Sequence, residues 1–282
     1  MRGLKQGTIE LLKHDEWMDQ AASDMITSIK AILSDDYLNI DHIGSTSIPS
    51  IKAKPIIDLA LHVKSFKSVI DQLDAFKALG FIYKANAVLP DALYFNLTKD
   101  QISYFHLHVF ENYSQAWKNH IYFRDYLRKY LSVAKRYEAL KEKLMATHQN
   151  DRVTYTLKKA TFILDTIKDA QCDYFLGKKL TIKIDRPIGS MHPKHPEIIY
   201  PINYGYIEGE FAQDNEELDV YLLEVNNKVD HFYGEIIGYV RRLNDIENKL
   251  IMVPVGQKVD QDMVKKAIHF QEQFYQSELI LI

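Results

Sequence analysis

Hydrophobic periodicity changes near residue 177, and the change divides the 282-residue chain into two stretches that require different architectures. Before it, apolar residues recur at both helical and strand-like spacing; beyond it, short β-type runs alternate with Pro, Gly and Asn clusters. The length is that of about two domains. The sequence therefore predicts a boundary near Gly177, with an α+β domain over 1–176 and a mainly-β domain over 177–282.

A nearly continuous apolar run over 55–63 is the strongest strand signal, because such a run is typical of a central strand buried on both faces. Helical spacing covers 17–33, 69–79 and most of 115–175, and further strands are expected over 9–12, 37–43, 92–97 and 103–110. In the second stretch, strands are expected over 180–184, 219–225, 234–241 and 249–253, and a helix from 261 to about 279. A mixed sheet followed by helices is thus predicted first, and a small β-rich domain second.

Composition excludes several classes of protein. Apolar residues make up 46% and charged residues 26%, which is typical of a chain that forms a core. No apolar run reaches about 18 residues and the first residues lack a signal-peptide core, so we expect a cytoplasmic protein with no membrane partner. The single Cys172 excludes an internal disulfide framework, and a net charge of -3 gives no general attraction to nucleic acid.

A Gly-Ser turn and a strand carboxylate form the candidate site of the first stretch. The backbone around Gly44 and Ser45 can hold phosphate groups, and Asp58 on the next strand can act catalytically by holding Mg²⁺ against them. A second carboxylate two residues later would complete a two-metal site, but Ala60 occupies that position. The sequence therefore contains half of a nucleotidyl-transfer pattern.

Two histidines extend this candidate site. Strand alternation places His106 and His108 on one face, where we expect them to bind metal together with Asp58. The alternative is that they are half-buried and bonded to backbone. Phosphate contacts are expected from three basic side chains, Lys54, Arg124 and Arg128. The two arginines are four residues apart, so they could equally form a solvated helix face.

The segments 42–49, 53–59, 105–109 and 123–128 together resemble the GrpB-like family over about 5–172. Members of that family have a nucleotidyltransferase-superfamily fold, a mixed sheet with C-terminal helices, and mostly unassigned activities. The resemblance implies nucleotidyl transfer or, because Ala60 interrupts the metal pattern, non-catalytic nucleotide binding.

Six acidic side chains lie within the twelve positions from Glu208 to Asp219. A solvated loop is the usual explanation, but this cluster follows a tyrosine-rich segment and continues into an apolar strand, where mutual repulsion is costly without a cation. Oxygen ligands indicate a hard ion, Mg²⁺ or alternatively Mn²⁺. The acidic cluster is therefore a candidate metal site.

The segments 200–206, 214–220 and 244–254 resemble soluble inorganic pyrophosphatase, over about 180–278. This resemblance implies an OB-type barrel with a terminal helix and Mg²⁺-dependent hydrolysis of pyrophosphate or a related phosphoanhydride. It implies catalytic and metal-binding carboxylates at Asp214, Glu216, Asp219 and at Asp245 or Glu247, and phosphate ligands at Tyr200, Tyr204 and Lys249.

The second stretch also departs from the pyrophosphatase pattern. The family's basic phosphate ligands before Tyr200 have no clear counterparts, and in their place stand Arg186, His192, Lys194 and His195. These residues either replace the missing ligands or belong to a solvated proline-rich loop. Together the two resemblances predict a transferase domain joined to a domain that hydrolyses released pyrophosphate, with a phosphorylated small molecule, pyrophosphate or a nucleotide, as the partner. The alternative is a scaffold or ligand sensor with two degenerate sites.

Overall fold

The computed structural model describes residues 2–85, 91–112, 114–148, 151–193 and 195–282. The chain divides into two compact units, Met1–Ile163 and Leu164–Ile282. This division falls inside a long helix, Arg152–Phe175, whereas the boundary expected near Gly177 comes just after that helix ends. Each unit has its own sheet.

The first unit is built on a mixed sheet whose strands are β1 (Leu4–Lys5), β2 (Asn39–Ile43), β3 (Ile57–Val63), β4 (Phe81–Tyr83), β5 (Ala92–Lys99) and β6 (Ile102–Glu111). The order is β2-β3-β6-β5-β4, with β1 paired to the beginning of β6. Strands β3 and β6 are parallel and the other neighbours are antiparallel. Strand β3 has a neighbour on each edge, so the prediction of a central strand is confirmed.

Helices of the first unit are α1 (Glu16–Leu33), α2 (Lys67–Ile70), α3 (Leu73–Ala78), α4 (Gln115–Lys129) and α5 (Leu131–Thr147), and α6 (Arg152–Phe175) continues into the second unit. Residues Leu59 and Leu61 of β3 share one core with Met18 of α1 and Phe76 of α3. Because successive strand residues point to opposite faces, Asp58 lies on the other face of the sheet. That face carries the candidate site.

Two expectations for the first unit are wrong in detail. The segment 9–12 is not a strand: Leu12 makes an isolated bridge with Ala53, and Asp15 soon caps α1 by accepting a hydrogen bond from Trp17 N. The helix expected over 69–79 is two short helices, α2 and α3. The three long helices after residue 114 agree with the predicted helical region.

The second unit is a closed barrel formed by β7 (Lys179–Arg186), β8 (Asn203–Phe211), β9 (Glu217–Leu222), β10 (His231–Arg242) and β11 (Lys249–Val253). Its order is β11-β9-β8-β7-β10, and a β10–β11 pairing closes the ring. Strands β9 and β11 are parallel. A five-stranded barrel of this kind agrees with the mainly-β, OB-type expectation.

The end of the second unit corrects another expectation. The terminal helix α7 (Gln261–Glu272) stops well before residue 279, and β12 (Ser277–Leu281) follows it. Strand β12 pairs with β10, so tertiary strand pairing outweighs the local helical spacing. Strand β8 was not expected either. Its Gly205 approaches β7 so closely that a Cβ there would lie 1.9 Å from the carbonyl oxygen of Lys183.

The last turns of α6 belong to the barrel's core. Cys172 and Phe175 pack in one apolar cluster with Val220 and Leu222 of β9. Burial raises the pKa of the Cys172 thiol, which keeps it protonated. In the parts of the chain that the structure describes, no helix is both long and apolar enough to cross a bilayer.

Candidate functional site

The first unit has a pocket of about 160 Å³, here called the lysine pocket, on the face of the sheet that carries Asp58. Its lining residues come from the Gly-Ser turn, the following loop, β3, β6, α5 and α6, and they are Ser45, Thr46, Lys54, Ile56, Asp58, His106, Lys141, Tyr155, Thr156 and Lys159. Four sequence-predicted site residues, Ser45, Lys54, Asp58 and His106, are therefore brought together.

A hydrogen bond joins Asp58 to its strand neighbour: Nδ1 of His106 donates to the Asp58 carboxylate over 3.0 Å. Burial alone would raise the pKa of Asp58, but His106, His108 and Lys159 outweigh burial and hold it below its usual value. Gly44, with a φ of 69°, lies against this carboxylate, because a Cβ there would be 2.4 Å from Oδ2 of Asp58. The turn therefore requires glycine for both space and conformation.

Helices α5 and α6 supply lining residues that sequence reasoning missed. Lys141 is only 1% exposed, its ammonium donates to the carbonyl of Lys52, and Lys54 and Lys159 lie 4.1 and 4.8 Å from the centroid of the Tyr155 ring. Burial, helped by the neighbouring lysines, lowers the pKa of Lys141 to about 7. Helical periodicity alone gives no sign that these residues face Asp58.

Four expected members of the first site do not line the lysine pocket: Gly44, His108, Arg124 and Arg128. His108 packs among the rings of Tyr94, Phe110 and His120, and burial lowers its pKa to about 4, which keeps the imidazole neutral; its role as a metal ligand with Asp58 stays a prediction. Ala60, where a second carboxylate would stand, is fully buried.

The two arginines expected at a phosphate instead hold the Gly-Ser turn. Arg124 donates to the carbonyl of His42 and pairs with Asp41 and Asp125, and Arg128 donates to the carbonyl of Ser47. Their guanidinium groups therefore fix the backbone on either side of Gly44, and their expected phosphate contacts are corrected to this positioning role.

The second unit has a larger pocket of about 470 Å³, here called the acidic pocket, at one end of the barrel. Its lining residues are Asp185, Arg186, His192, Pro193, Tyr200, Tyr204, Asp214, Glu216, Asp219, Arg242, Glu247, Lys249, Gln271 and Tyr275. Nine residues singled out in the sequence meet there: Arg186, His192, Tyr200, Tyr204, Asp214, Glu216, Asp219, Glu247 and Lys249.

A buried lysine organises the floor of the acidic pocket. Lys249, 2% exposed, donates to Asp219 and, over 2.5 Å, to Glu247. Burial alone would lower the pKa of Lys249, but these carboxylates raise it, so the ammonium keeps its charge. Burial raises the pKa of Glu247, and Asp219 and Asp214 add to the rise. The carboxylates therefore lie close enough to repel one another.

Phenol groups form one wall of the acidic pocket. Tyr200 and Tyr204 are buried with ring centroids 5.3 Å apart. Burial raises the pKa of Tyr200 to about 12 and that of Tyr204 further, so both hydroxyls stay protonated near neutral pH. Protonated phenols can donate hydrogen bonds to phosphoryl oxygens.

The sequence left open whether Asp245 or Glu247 is the further metal-binding carboxylate, and the structure distinguishes the two. Glu247 lines the acidic pocket, whereas Asp245 pairs with Arg242 over 2.9 Å and does not line it. Arg242 is buried, is bound by Glu272 and stacks 3.6 Å from the Tyr275 centroid. Asp185, Arg242, Gln271 and Tyr275 are further lining residues that sequence reasoning missed; Tyr275 follows the shortened helix, where spacing gives no guide.

Among the basic residues expected before Tyr200, Arg186 and His192 line the acidic pocket. Arg186 is paired with Asp185 at 2.7 Å. His195 is exposed beside Glu197 and does not line the acidic pocket, which agrees with the alternative of a solvated loop, and Lys194 lies outside the described residues.

The donors of the acidic pocket suit Mg²⁺ better than those of the lysine pocket. Over the described ranges, no three His, Cys, Asp or Glu side chains form a ready metal cage. Mg²⁺ usually needs only one or two carboxylates, because waters and substrate phosphates complete its shell. Oε2 of Glu247 is buried with no hydrogen-bond partner among the described residues, which fits such an ion. The lysine pocket, with Asp58 bonded to His106, does not fit it.

Comparisons with known proteins concern mainly the first unit. A family model described as "GrpB protein" matches residues 8–169. The "Glutamate-rich protein GrpB" of Alkalihalophilus pseudofirmus is 32% identical over 60% of this chain and 99% of its own length. "UPF0157 protein YqkA" of Bacillus subtilis is 31% identical over 58% of this chain, which spans only 47% of that relative.

Solved structures also match. The structure titled "conserved protein GrpB from Enterococcus faecalis" aligns at 28% identity with a TM-score of 0.55, covering 58% of this chain and 99% of that one. An inorganic pyrophosphatase from Neisseria gonorrhoeae aligns at 21% identity with a TM-score of 0.26, covering 33% of this chain and 72% of that one.

Proposed function

We propose that this chain, which belongs to the GrpB family over residues 8–169, carries a Mg²⁺-dependent phosphoanhydride hydrolase site in its second unit. Pyrophosphate is the substrate that this proposal names first. The GrpB part contributes a separate site for a phosphorylated ligand, so the whole chain acts on phosphorylated small molecules.

The make-up of the acidic pocket carries this proposal. Five carboxylates line it with two guanidinium groups and one ammonium group, which leaves two formal negative charges beside the phenols. An anionic phosphoanhydride would be repelled by this excess unless divalent cations entered with it. A solvated surface loop would leave these carboxylates in water, whereas here Asp219 and Glu247 are bonded to the buried ammonium of Lys249.

The lining residues have distinct roles in this proposal. Lys249 holds Asp219 and Glu247 in place, and Arg186 supplies a positive group at the pocket. Tyr200 and Tyr204 donate hydrogen bonds to phosphoryl oxygens, where negative charge develops as the anhydride breaks. These donors stabilise charge without a covalent intermediate.

Asp214, Glu216, Asp219 and Glu247 are the residues that would hold Mg²⁺. When bound, the ion would neutralise phosphoryl charge and lower the pKa of a bound water. Mn²⁺ has the same ligand preference and serves as a substitute in the assay.

The test is phosphate release from pyrophosphate, and separately from nucleoside triphosphates, by the full chain with and without Mg²⁺. We expect Mg²⁺-dependent release from pyrophosphate that Asp219→Asn lowers at least a hundredfold, since it removes a charge from the floor of the pocket. Asp58→Asn, in the other unit, is the matched control and should leave the rate within twofold. No release from any substrate with Mg²⁺ or Mn²⁺ overturns the proposal.

A second candidate function concerns the GrpB part. The Gly44 turn packed against Asp58 favours nucleotide binding, with nucleotidyl transfer as its catalytic form. Ala60, buried at the position of a second metal-binding carboxylate, favours binding without transfer. Calorimetric titration with nucleoside triphosphates and Mg²⁺ tests this candidate, and absence of binding excludes both forms of it.

A further inference from the structure

The lysine pocket concentrates positive charge in a small space. Lys54, Lys141 and Lys159 line it together with a single carboxylate, Asp58, so two formal positive charges remain. Asp58 is already engaged by His106. The Lys141 ammonium is buried, and a buried charge costs free energy unless hydrogen bonds or an opposite charge compensate it.

Lys141 shows that the pocket is built for charge. The ammonium is held by the carbonyl of Lys52 and lies 4.8 Å from the centroid of the Tyr137 ring, so the side chain is fixed rather than solvated. Glu138 and Glu142 act on it electrostatically, but Lys54 and Lys159 oppose them. An apolar side chain would fill this position without the free-energy cost of burying a charge, so a lysine here indicates a role in binding a ligand.

The Tyr155 hydroxyl is a second, independent observation. Tyr155 is 0% exposed and lines the lysine pocket, and its hydroxyl has no hydrogen-bond partner among the residues that the structure describes. A buried hydroxyl without a partner is costly and uncommon in folded proteins. Burial raises the pKa of this phenol, so it remains a donor. A ligand oxygen would satisfy it.

Size and charge define the ligand. A pocket of about 160 Å³ is smaller than the ~300–1,000 Å³ typical of pockets that enclose drug-sized ligands. The remaining two positive charges match a phosphate group, which carries about two negative charges at neutral pH. The lining donors are ammonium and hydroxyl groups, which are phosphate ligands in their own right.

We propose that the lysine pocket binds a compact phosphoanion directly, without a metal ion, through Lys54, Lys141, Lys159 and the Tyr155 hydroxyl. This inference rests on the proposed phosphorylated ligand of the GrpB part and is independent of hydrolysis in the second unit. The phosphoanion is free phosphate or pyrophosphate, or the phosphoryl end of a monoester, which enters the pocket while the rest of the molecule stays outside.

The experiment is calorimetric titration of the full chain in EDTA with orthophosphate, pyrophosphate and a nucleoside monophosphate in separate arms. We expect one orthophosphate per chain. Tighter binding of the monophosphate identifies a monoester end as the ligand, and tighter binding of either inorganic anion identifies the free form. No binding in any arm overturns the inference.

Variants locate the site. Tyr155→Phe removes only the unpartnered hydroxyl, so it should fold, melt at an equal or higher temperature and bind about tenfold more weakly. Lys141→Met should bind about tenfold to a hundredfold more weakly. Lys143→Met, an exposed lysine on the same helix, and Arg186→Met, in the acidic pocket, should bind as wild type. Binding lost in Arg186→Met and kept in Tyr155→Phe overturns the inference.

The same preparations separate this inference from the proposed function. Phosphate release with Mg²⁺ and no anion binding in EDTA means that the lysine pocket alone is misassigned. Binding in EDTA with no phosphate release means that the hydrolase proposal alone fails.

Discussion

The two pockets have opposite charge but suit the same ligand chemistry. The lysine pocket has an excess of ammonium groups and one carboxylate that is already bonded, whereas the acidic pocket has an excess of carboxylates around one buried lysine. A phosphoanion can enter the first pocket directly and needs divalent cations to enter the second. Charge balance, rather than the presence of phosphate ligands, therefore separates the direct binding that we propose for the first pocket from the metal-dependent hydrolysis that we propose for the second.

The largest expected effect follows from removing the lysine of the acidic pocket. Lys249→Met leaves the half-buried carboxylates of Asp219 and Glu247 without their shared cation, which should lower the free energy of unfolding by about 3 kcal/mol and abolish phosphate release. Chemical denaturation and the Mg²⁺-dependent assay measure the two losses. Lys265→Met, an exposed lysine on α7, is the control. Unchanged stability would mean that Lys249 is not the centre of the pocket.

Ala60→Asp tests whether a second carboxylate beside Asp58 gives the first unit a Mg²⁺ site. The new carboxylate would be buried beside Ile43 and Phe110, so we expect a loss of about 3 kcal/mol and no gain of Mg²⁺ binding. Ala60→Asn has the same size without the charge and should lose less. Tight Mg²⁺ binding by the aspartate variant would break the contrast between the pockets.

The pH dependence of anion binding tests the lysine pocket. With a pKa near 7, lowered from 10.5, Lys141 loses its proton as the pH rises from 7 to 9, so affinity for phosphate should fall by up to about tenfold per pH unit. The groups that act on it are Lys54, Lys159, Glu138 and Glu142. Calorimetric titrations at several pH values measure this loss of affinity. Lys141→Met, which binds more weakly at every pH, should not show the loss that comes from deprotonation of Lys141.

Linkage gives the opposite slope for stability. Between pH 7 and 10.5 the unfolded chain holds a proton on Lys141 that the folded chain has released, so the free energy of unfolding without ligand should rise with pH across that window. A slope that is the same in wild type and Lys141→Met would contradict the lowered pKa.

The smallest expected effect is the difference between substitutions of two neighbouring carboxylates, Glu247 and Asp245. Glu247→Gln should lower phosphate release at least tenfold, because Glu247 lines the acidic pocket. Asp245→Asn should change release less than twofold and stability by about 1 kcal/mol, since Arg242 keeps Glu272. Equal losses of activity would show that both carboxylates act in the pocket.

Most residues of the acidic pocket were expected from the acidic cluster and from the resemblance to inorganic pyrophosphatase in the segments 200–206, 214–220 and 244–254. The structure brings these segments together because the strands that carry them are neighbours in the barrel. Arg242 and Tyr275 were missed, since strand closure by β10 and the early end of α7 depend on tertiary pairing.

The lysine pocket was predicted only in part. Asp58 and His106 are paired in parallel strands, so alternation located them on one face. Lys141 and Tyr155 come from separate helices, and their spacing does not reveal which helix face meets the sheet. Arg124 and Arg128 were expected either to contact phosphate or to form a solvated helix face; in the structure they donate to carbonyl groups of the turn.

Helix α6 decides how the chain can be dissected in the laboratory. A fragment that starts at Gly177 would lack Cys172 and Phe175, which fill part of the barrel's core, and would expose the apolar surface that they cover. A cut at residue 163 would sever the helix that supplies Tyr155 and Lys159. A fragment that contains the barrel should therefore keep the last turns of α6, because they are part of its core and not a linker.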